Sequence, residues 1–258
     1  GKGNAPEIIF KSSGTTETGR SQHFVADLNL YQQSFTKGFE LAYGKICNTC
    51  VIALLPNYLE QGDSSLVYMI DSLIEQSDHS KSGFYLNEKN ALLDTLSELK
   101  KSNTKTLLIG VTYALLDFIE KQKIDFSNLI VMETGGMKGR RKEIVREELH
   151  EILCDGFGVS KIHSEYGMTE LLSQAYSCGN GVFNTPAWMK ILTREISDPL
   201  SLCKENKTGG VNVIDLANIS SCSFISTQDL GRTIGNNQFE IIGRFDNSDT
   251  RGCNLMIR

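Results

Sequence analysis

Residues 12–20 are the stretch of the chain best suited to hold an anion. They read SSGTTETGR, which combines small hydroxyl side chains with two glycines and a closing arginine and contains no large apolar side chain. Glycines allow successive backbone N–H groups to point inward, and hydroxyls add further donors. The segment therefore predicts a loop that holds phosphate. A solvated connection rich in Ser, Thr and Gly is the alternative, and this stretch alone does not separate the two.

The loop differs from the P-loop of ordinary nucleoside triphosphatases, whose pattern is G-x-x-x-x-G-K-[ST]. Gly14 and Gly19 have the right spacing, but Arg20 stands where the lysine would reach the β- and γ-phosphates. An arginine fork can clamp phosphate oxygens, with a geometry different from that of a lysine point charge. A Walker-type loop is therefore only a minor alternative.

Four further segments fall at the ends of predicted strands, where open α/β sheets place their ligands. The first, residues 134–137, reads TGGM. Its two glycines, Gly135 and Gly136, would let a flat ligand lie against the backbone. A tight turn from strand to helix is the alternative.

The second segment, residues 165–170, reads EYGMTE. Tyr166, beside a glycine, offers an aromatic face, and Thr169 offers a hydroxyl donor. Glu170 supplies a hard carboxylate oxygen of the kind that Mg²⁺ prefers. We expect Thr169 and Glu170 to open a helix, whose N-terminus favours anions. Capping of that helix is the alternative role for the carboxylate.

The last two segments lie near the C-terminus. Residues 226–231 read STQDLG, and Asp229 at a strand end can accept hydrogen bonds from both hydroxyls of a ribose. Residues 243–246 read GRFD, and an Arg-Gly-Cys run follows at residues 251–253.

Short apolar runs alternate with amphipathic segments through the first two thirds of the chain. Apolar spacing of three and four residues predicts helices, at residues 26–43, 65–76, 89–101, 114–121 and 138–153. The continuous runs between them predict buried strands, at residues 50–55, 83–86, 106–111, 129–132 and 159–163. After about residue 180 strands follow without good helices between them, at residues 188–192, 211–214, 223–225 and 239–242.

This alternation is typical of an α/β fold with a mostly parallel sheet and crossover helices. We therefore predict an α/β nucleotide-binding region over residues 1–180. A smaller, antiparallel β-rich region of the same large domain is predicted over residues 181–258.

Composition narrows the class of protein further. The 258 residues are 40% hydrophobic and 22% charged, ordinary values for a globular protein, and the net charge of −5 argues against a nucleic-acid partner. No apolar run is long enough to span a membrane, and no signal peptide is expected. Seven cysteines in a chain of this length do not form a disulfide framework. A reducing cytoplasm is the expected compartment.

Taken in order, the segments resemble the adenylate-forming superfamily, which includes acyl- and aryl-CoA ligases. The run YGMTE matches the family pattern Y-G-x-T-E throughout, and TGG is similar to its Gly-rich segment. The loop SSGTTETGR looks like the phosphate loop with three substitutions: Glu17 at a usual glycine, Gly19 at the proline and Arg20 at the lysine. The segment STQD resembles T-G-D with Gln228 in place of the glycine, and GRFD resembles the hinge pattern G-R-x-D, although the distance to the following Arg-Gly is one residue short.

The resemblance implies a role for each segment. Tyr166, with Gly167, would face adenine opposite Gly135 and Gly136, while Asp229 would hold the ribose with Arg244. The phosphate loop would steady the pyrophosphate and Thr169 the α-phosphate. Glu170 would bind Mg²⁺, and ATP would be the second cofactor. The loop residues concerned are Ser12, Ser13, Gly14, Thr15, Thr16 and Arg20.

The C-terminal run RGCNLM looks like the ending of one subgroup, the acyl-protein synthetases of the bacterial luciferase fatty-acid reductase complex. The resemblance then implies a chain without the C-terminal lid domain and its lysine, and lacking its natural N-terminal segment. Cys253 would accept the acyl group as a thioester and pass it to a reductase or acyl-carrier partner. Arg251 could lower the pKa of that thiol. A buried structural role for Cys253 is the alternative.

Three functions follow from these observations. The first is an ATP-dependent acyl-protein synthetase, an acyltransferase that loads a fatty acid, or another carboxylic acid, onto Cys253. The second is a ligase that uses coenzyme A as the acceptor. The third is a degenerate, non-catalytic nucleotide-binding protein of a biosynthetic complex.

Overall fold

The computed structural model describes residues 5–12, 20–55, 62–135, 144–235 and 237–245. Strands and helices follow one another in the order β1 Ile8–Lys11, β2 Gln22–Val25, α1 Leu28–Tyr43, β3 Cys50–Leu54, α2 Ser65–Ser77, β4 Gly83–Phe84, α3 Lys89–Lys101, β5 Thr106–Val111, α4 Thr112–Ile119, β6 Leu129–Thr134, α5 Arg146–Phe157, β7 His163–Tyr166, β8 Ala175–Ser177, β9 Val182–Asn184, β10 Met189–Arg194, β11 Gly209–Asp215, β12 Phe224–Gly235 and β13 Gln238–Arg244. No helix in these ranges is long and apolar enough to cross a membrane.

Eleven of these strands form one mixed sheet in the order β10-β11-β12-β13-β9-β8-β7-β6-β5-β3-β4. Pairing is parallel from β4 to β7 and antiparallel from β7 to β10. Strands β1 and β2 form a separate antiparallel pair. The predicted parallel region and the predicted antiparallel region are thus continuous in one sheet, and the division of the chain at residue 180 stays a prediction.

Two hydrophobic clusters correspond to the two halves of the sheet. Every residue of β3 and β5 is buried, because helices cover this parallel part and leave no polar face. The larger cluster surrounds these strands and includes the aromatic face of α1. The smaller cluster lies on the antiparallel half and contains Tyr166, Phe183 and Phe239.

Most predicted elements are present with small changes in their ends. The helix α3 has the predicted bounds, and β5 also has its predicted bounds. Four short strands, β1, β2, β8 and β9, were not predicted, since four or fewer residues give little periodicity. The predicted strand at 159–163 is largely wrong: its apolar residues are buried in a connection, and β7 begins at His163.

The helix predicted to open at Thr169 and Glu170 is also wrong. Residues 169–170 form a turn, and the chain proceeds to β8 without a helix. The reason is Asp215 at the end of β11, whose Oδ2 accepts hydrogen bonds from the backbone N–H groups of Leu172 (2.8 Å) and Ser173 (3.0 Å). A distant carboxylate therefore satisfies donors that a helix would have used.

Asp215 has no solvent exposure, and its second oxygen is bound as well. Its Oδ1 accepts the hydroxyl of Ser173 at 2.5 Å and the N–H of Ala217 at 3.1 Å. Three residues on, the Asn218 side chain donates to the carbonyl of Glu170 at 2.6 Å. The end of β11 thus holds the whole connection that follows Tyr166.

Replacing Asp215 with asparagine should destabilise the fold strongly. An amide cannot accept four hydrogen bonds, and buried N–H groups would be left unpaired, so we expect the free energy of unfolding to fall by about 2–4 kcal/mol. Urea-induced unfolding measures this change. Asp94→Asn, on the exposed face of α3, is the matched control and should cost less than about 0.5 kcal/mol. Equal stability of the two variants would contradict the role given to Asp215.

Candidate functional site

Three predicted site residues from distant parts of the chain meet around one carboxylate. The Tyr166 hydroxyl donates to Asp229 Oδ2 at 2.8 Å, and Arg244 Nε lies 3.2 Å from Asp229 Oδ1. Asp229 and Arg244 are directly opposite each other on β12 and β13. The Asp229 side chain is mostly buried and that of Arg244 is exposed, so the carboxylate lies at the edge of the interior.

The contact between Tyr166 and Asp229 requires a strongly curved sheet. Three strands, β8, β9 and β13, lie between β7 and β12. In a flat sheet this would separate the two residues by about 19 Å, because neighbouring strands lie about 4.8 Å apart. Curvature instead folds the antiparallel half over and encloses the tyrosine ring.

The ring of Tyr166 is fixed by aromatic neighbours. Its centroid lies 5.9 Å from that of Phe183 and 5.3 Å from that of Phe239, both in edge-to-face geometry. Burial, together with the negative charge of Asp229, raises the pKa of Tyr166 well above its ordinary value. The phenol therefore stays protonated and serves as a hydrogen-bond donor to the carboxylate.

Glu170 lies beside the base of the hydroxyl-rich loop. The Ser21 hydroxyl donates to Glu170 Oε1 at 2.6 Å. At the base of this loop the Ser12 N–H donates to the Ser21 carbonyl, and the Ser21 N–H donates to the Ser12 hydroxyl, both at 3.0 Å. Arg20 pairs with Asp63 at 3.6 Å. The structure thus brings the ends of the predicted phosphate loop next to the predicted metal ligand.

Several predicted site residues lie outside the described residues, namely Ser13, Gly14, Thr15, Thr16, Gly136 and Cys253. Of the others, Thr169 is partly buried in the turn before Glu170. Gly135 directly follows β6 and has a φ of 72°, which favours glycine. The left-handed backbone geometry lies at the point predicted to face a flat ligand.

Gly167 has a steric reason to be glycine. A Cβ at this position would overlap Glu165 Oε1, so the glutamate side chain occupies the space that a larger residue would need. On its other oxygen, Glu165 accepts the hydroxyl of Thr134 at 2.5 Å. Glu165 is therefore held between the ends of β6 and β7.

A second glutamate, Glu133, lies next to Glu165, and sequence reasoning missed both. Loss of hydration raises the pKa of Glu165 to about 7; the Thr134 hydroxyl opposes this and the charge of Glu133 adds to it. Burial would also raise the pKa of Glu133, but contacts with His150 and Ser164 and the charge of Arg146 outweigh burial and lower it. Acidic residues at the carboxyl ends of apolar strands were the signal that could have identified them.

The described residues contain no group of three or more His, Cys, Asp or Glu that could hold a metal ion unaided. Glu170 offers hard carboxylate oxygens, which suit Mg²⁺ shared with phosphate oxygens of a nucleotide. The donor chemistry at Glu170 therefore fits the predicted ion as one ligand of an incomplete set.

Comparisons with known proteins found one matching family and several solved structures with a similar fold. A family model described as acyl-protein synthetase, LuxE, matches residues 66–258. Among solved structures, ATP-bound MatB from Rhodopseudomonas palustris has a TM-score of 0.68 at 13% identity, over 93% of this chain and 49% of that one. O-succinylbenzoate coenzyme A synthetase (MenE) from Bacillus subtilis, in complex with AMP, has a TM-score of 0.61 at 17% identity, over 96% and 51%. No curated protein sequence matches the chain.

A third solved structure, the luciferase-like enzyme from the mealworm Zophobas morio, has a TM-score of 0.64 at 14% identity, over 95% of this chain and 59% of that one. The chain thus spans about half the length of the similar structures. At these identities the likeness concerns the fold, and it confirms the predicted α/β fold of adenylate-forming N-terminal domains.

Glu165 should make stability depend on pH near neutrality. Its pKa is about 7 in the folded chain against an ordinary value of 4.5, so ionisation favours the unfolded chain. The stabilisation from a protonated Glu165 is complete below pH 4.5 and is lost as the pH rises to 7 and above. The difference between the two pKa values corresponds to a change of roughly 3 kcal/mol in the free energy of unfolding.

Glu165→Gln removes this titration, so the stability difference between wild type and variant should change across that range of pH. Urea unfolding at pH 4.5, 6 and 8 measures it, with the exposed Glu148→Gln on α5 as the matched control. A constant difference between wild type and Glu165→Gln at all three values would show that Glu165 does not titrate there.

Proposed function

The chain belongs to the LuxE family of acyl-protein synthetases, and on that premise we propose that it activates a carboxylic acid of the fatty-acid class with ATP. A carboxylate oxygen of the acid attacks the α-phosphorus, the bond to the leaving pyrophosphate breaks, and acyl-AMP forms. The Cys253 thiolate then attacks the acyl carbon, AMP leaves, and the acyl group remains as a thioester. A reductase or acyl-carrier partner accepts it from there.

The observation that carries this proposal is the arrangement around Asp229. A carboxylate held on one oxygen by Tyr166 and flanked on the other by Arg244 is fixed in orientation. Its remaining lone pairs can accept the two hydroxyls of a ribose. The Tyr166 ring beside it would contribute aromatic surface to the adenine subsite, and Gly135 would contribute the facing backbone.

The phosphates would extend from this ribose toward Glu170. Glu170 contacts Ser21 at the base of the hydroxyl-rich loop, which supports a pyrophosphate position between residues 12–20 and Thr169. Mg²⁺, when bound, would neutralise charge on the phosphates, with Glu170 as its protein ligand. Arg20 would add a fixed positive charge, and positioning would supply most of the acceleration.

The acyl-transfer step rests on the resemblance of the C-terminal run and on the chemistry of Cys253. A neighbouring arginine favours the thiolate, which is the nucleophilic form. The cysteines of the described residues are all free, which supports a reducing cytoplasm as the compartment. Coenzyme A as the acceptor, and a protein that binds nucleotide without catalysis, are the competing outcomes of the tests below.

Asp229→Asn should lower ATP–pyrophosphate exchange. The amide keeps the shape of the side chain but can accept fewer hydrogen bonds from the ribose, and it disturbs the contact with Tyr166. We therefore expect the exchange rate to fall about 10- to 100-fold. The assay uses Mg²⁺, ATP, labelled pyrophosphate and a panel of acids from acetate to long-chain fatty acids.

Asp198→Asn is the matched control for this experiment, since Asp198 also accepts hydrogen bonds but lies in an exposed turn. Exchange by the wild type that Asp229→Asn leaves unchanged would contradict the nucleotide site. Absence of exchange by the wild type with every acid would favour the non-catalytic alternative.

Cys253→Ser should abolish stable acyl labelling of the protein. The assay uses ATP, Mg²⁺ and labelled fatty acid, followed by denaturation and treatment with hydroxylamine, which cleaves thioesters. Cys222→Ser, at an exposed cysteine, should label like the wild type. Labelling of Cys253→Ser at the wild-type level would rule out this acceptor, and AMP release that requires added coenzyme A would favour the ligase.

A further inference from the structure

The backbone ladder between β6 and β7 stops short of the candidate nucleotide site. The two strands pair at Met132 with His163 and at Glu133 with Ser164, and no further pair follows between their described residues. One residue beyond the ladder, side chains join the strands instead: the Thr134 hydroxyl donates to Glu165 Oε2 at 2.5 Å. A hydrogen bond between side chains therefore links the two strands where the backbone hydrogen bonds have ended.

Both partners directly precede residues that the proposed function places at the adenine subsite. Thr134 is followed by Gly135, where a φ of 72° turns the chain, and Glu165 is followed by Tyr166. In the proposed function these two following residues face adenine from opposite sides. The distance between the two walls therefore depends on what joins Thr134 to Glu165.

One oxygen of Glu165 has a fixed partner, because Oε2 accepts the hydroxyl of the buried Thr134. The other oxygen, Oε1, lies in the space beside Gly167, a residue without a side chain. The neighbouring Glu133 cannot replace it, because its own partners are Thr112 (3.4 Å) and His150 (3.7 Å). Glu133 and Glu165 thus lie close together but contact different side chains.

We infer that Thr134 and Glu165 are positioning residues for the base of the nucleotide, their hydrogen bond fixing the separation of the walls formed by Gly135 and Tyr166. The inference rests on the proposed function. The hydrogen bond sets the width of a slot for a flat ring and makes no contact with ribose or phosphate. Its loss should weaken ligands that carry a base and spare those that do not.

The test compares AMP with ribose 5-phosphate, which keeps the sugar and phosphate but lacks the base. Calorimetric titration of the whole chain gives both dissociation constants. Thr134→Val keeps the shape and removes the donor, and we expect AMP to bind about tenfold more weakly, as for one lost hydrogen bond. Binding of ribose 5-phosphate should stay within about twofold.

Two further variants separate positioning from general stability. Thr134→Ser restores the hydroxyl and should restore AMP binding. Thr112→Val makes the same substitution at a buried threonine at the start of α4, whose hydroxyl donates to Glu133, and should bind AMP like the wild type. Thermal unfolding shows that each variant is folded.

Glu165→Met removes the acceptor at similar length and supplies an independent test if Thr134→Val does not fold. The double variant should lose no more affinity than either single one, because both remove the same bond. Unchanged AMP binding in Thr134→Val or Glu165→Met, or an equal loss for AMP and ribose 5-phosphate, overturns the inference. Failure of the wild type to bind AMP overturns the proposed function itself, and the inference with it.

Discussion

A single buried carboxylate, that of Asp215, holds the connection on which the candidate site is built. Four donors from two segments converge on its two oxygens, and none of its surface reaches solvent. Burial of this polar group is tolerated because four donors satisfy its two oxygens. The connection between β7 and β8 would otherwise have many backbone groups and few partners. Its course past Tyr166 and Glu170 is held by this carboxylate together with the Asn218 side chain, which donates to the Glu170 carbonyl.

Curvature of the sheet depends on the same region. The rings of Tyr166, Phe183 and Phe239 pack against one another on the antiparallel half, and Tyr166 reaches Asp229 although three strands lie between β7 and β12. The parallel strands position residues at their carboxyl ends, and the antiparallel strands bring Asp229 and Arg244 next to them. Residues from opposite halves of the sheet thereby meet without any loop having to carry them across.

Much of this architecture follows from sequence patterns, and what does not has physical causes. The long helices and the buried strands β3 and β5 were predictable because their apolar spacing is strong. The helix after Thr169 was predicted wrongly, since its donors are taken by Asp215, 43 residues away from Leu172. The meeting of Tyr166, Asp229 and Arg244 was expected only through the family resemblance. The roles of Glu133 and Glu165 depend on neighbours in space, which periodicity does not reveal.

The place of β13 in the strand order has a consequence for how the chain is made. This strand, the last one among the described residues, lies between β9 and β12, so residues 238–244 connect β10, β11 and β12 to the rest of the sheet. Until residues 238–244 leave the ribosome, β9 and β12 each have an unpaired edge. Such edges can pair with strands of other molecules. The aromatic cluster also lacks Phe239 until then. Synthesis must therefore reach β13 before the described sheet is continuous, and chains that stop earlier should be prone to aggregate.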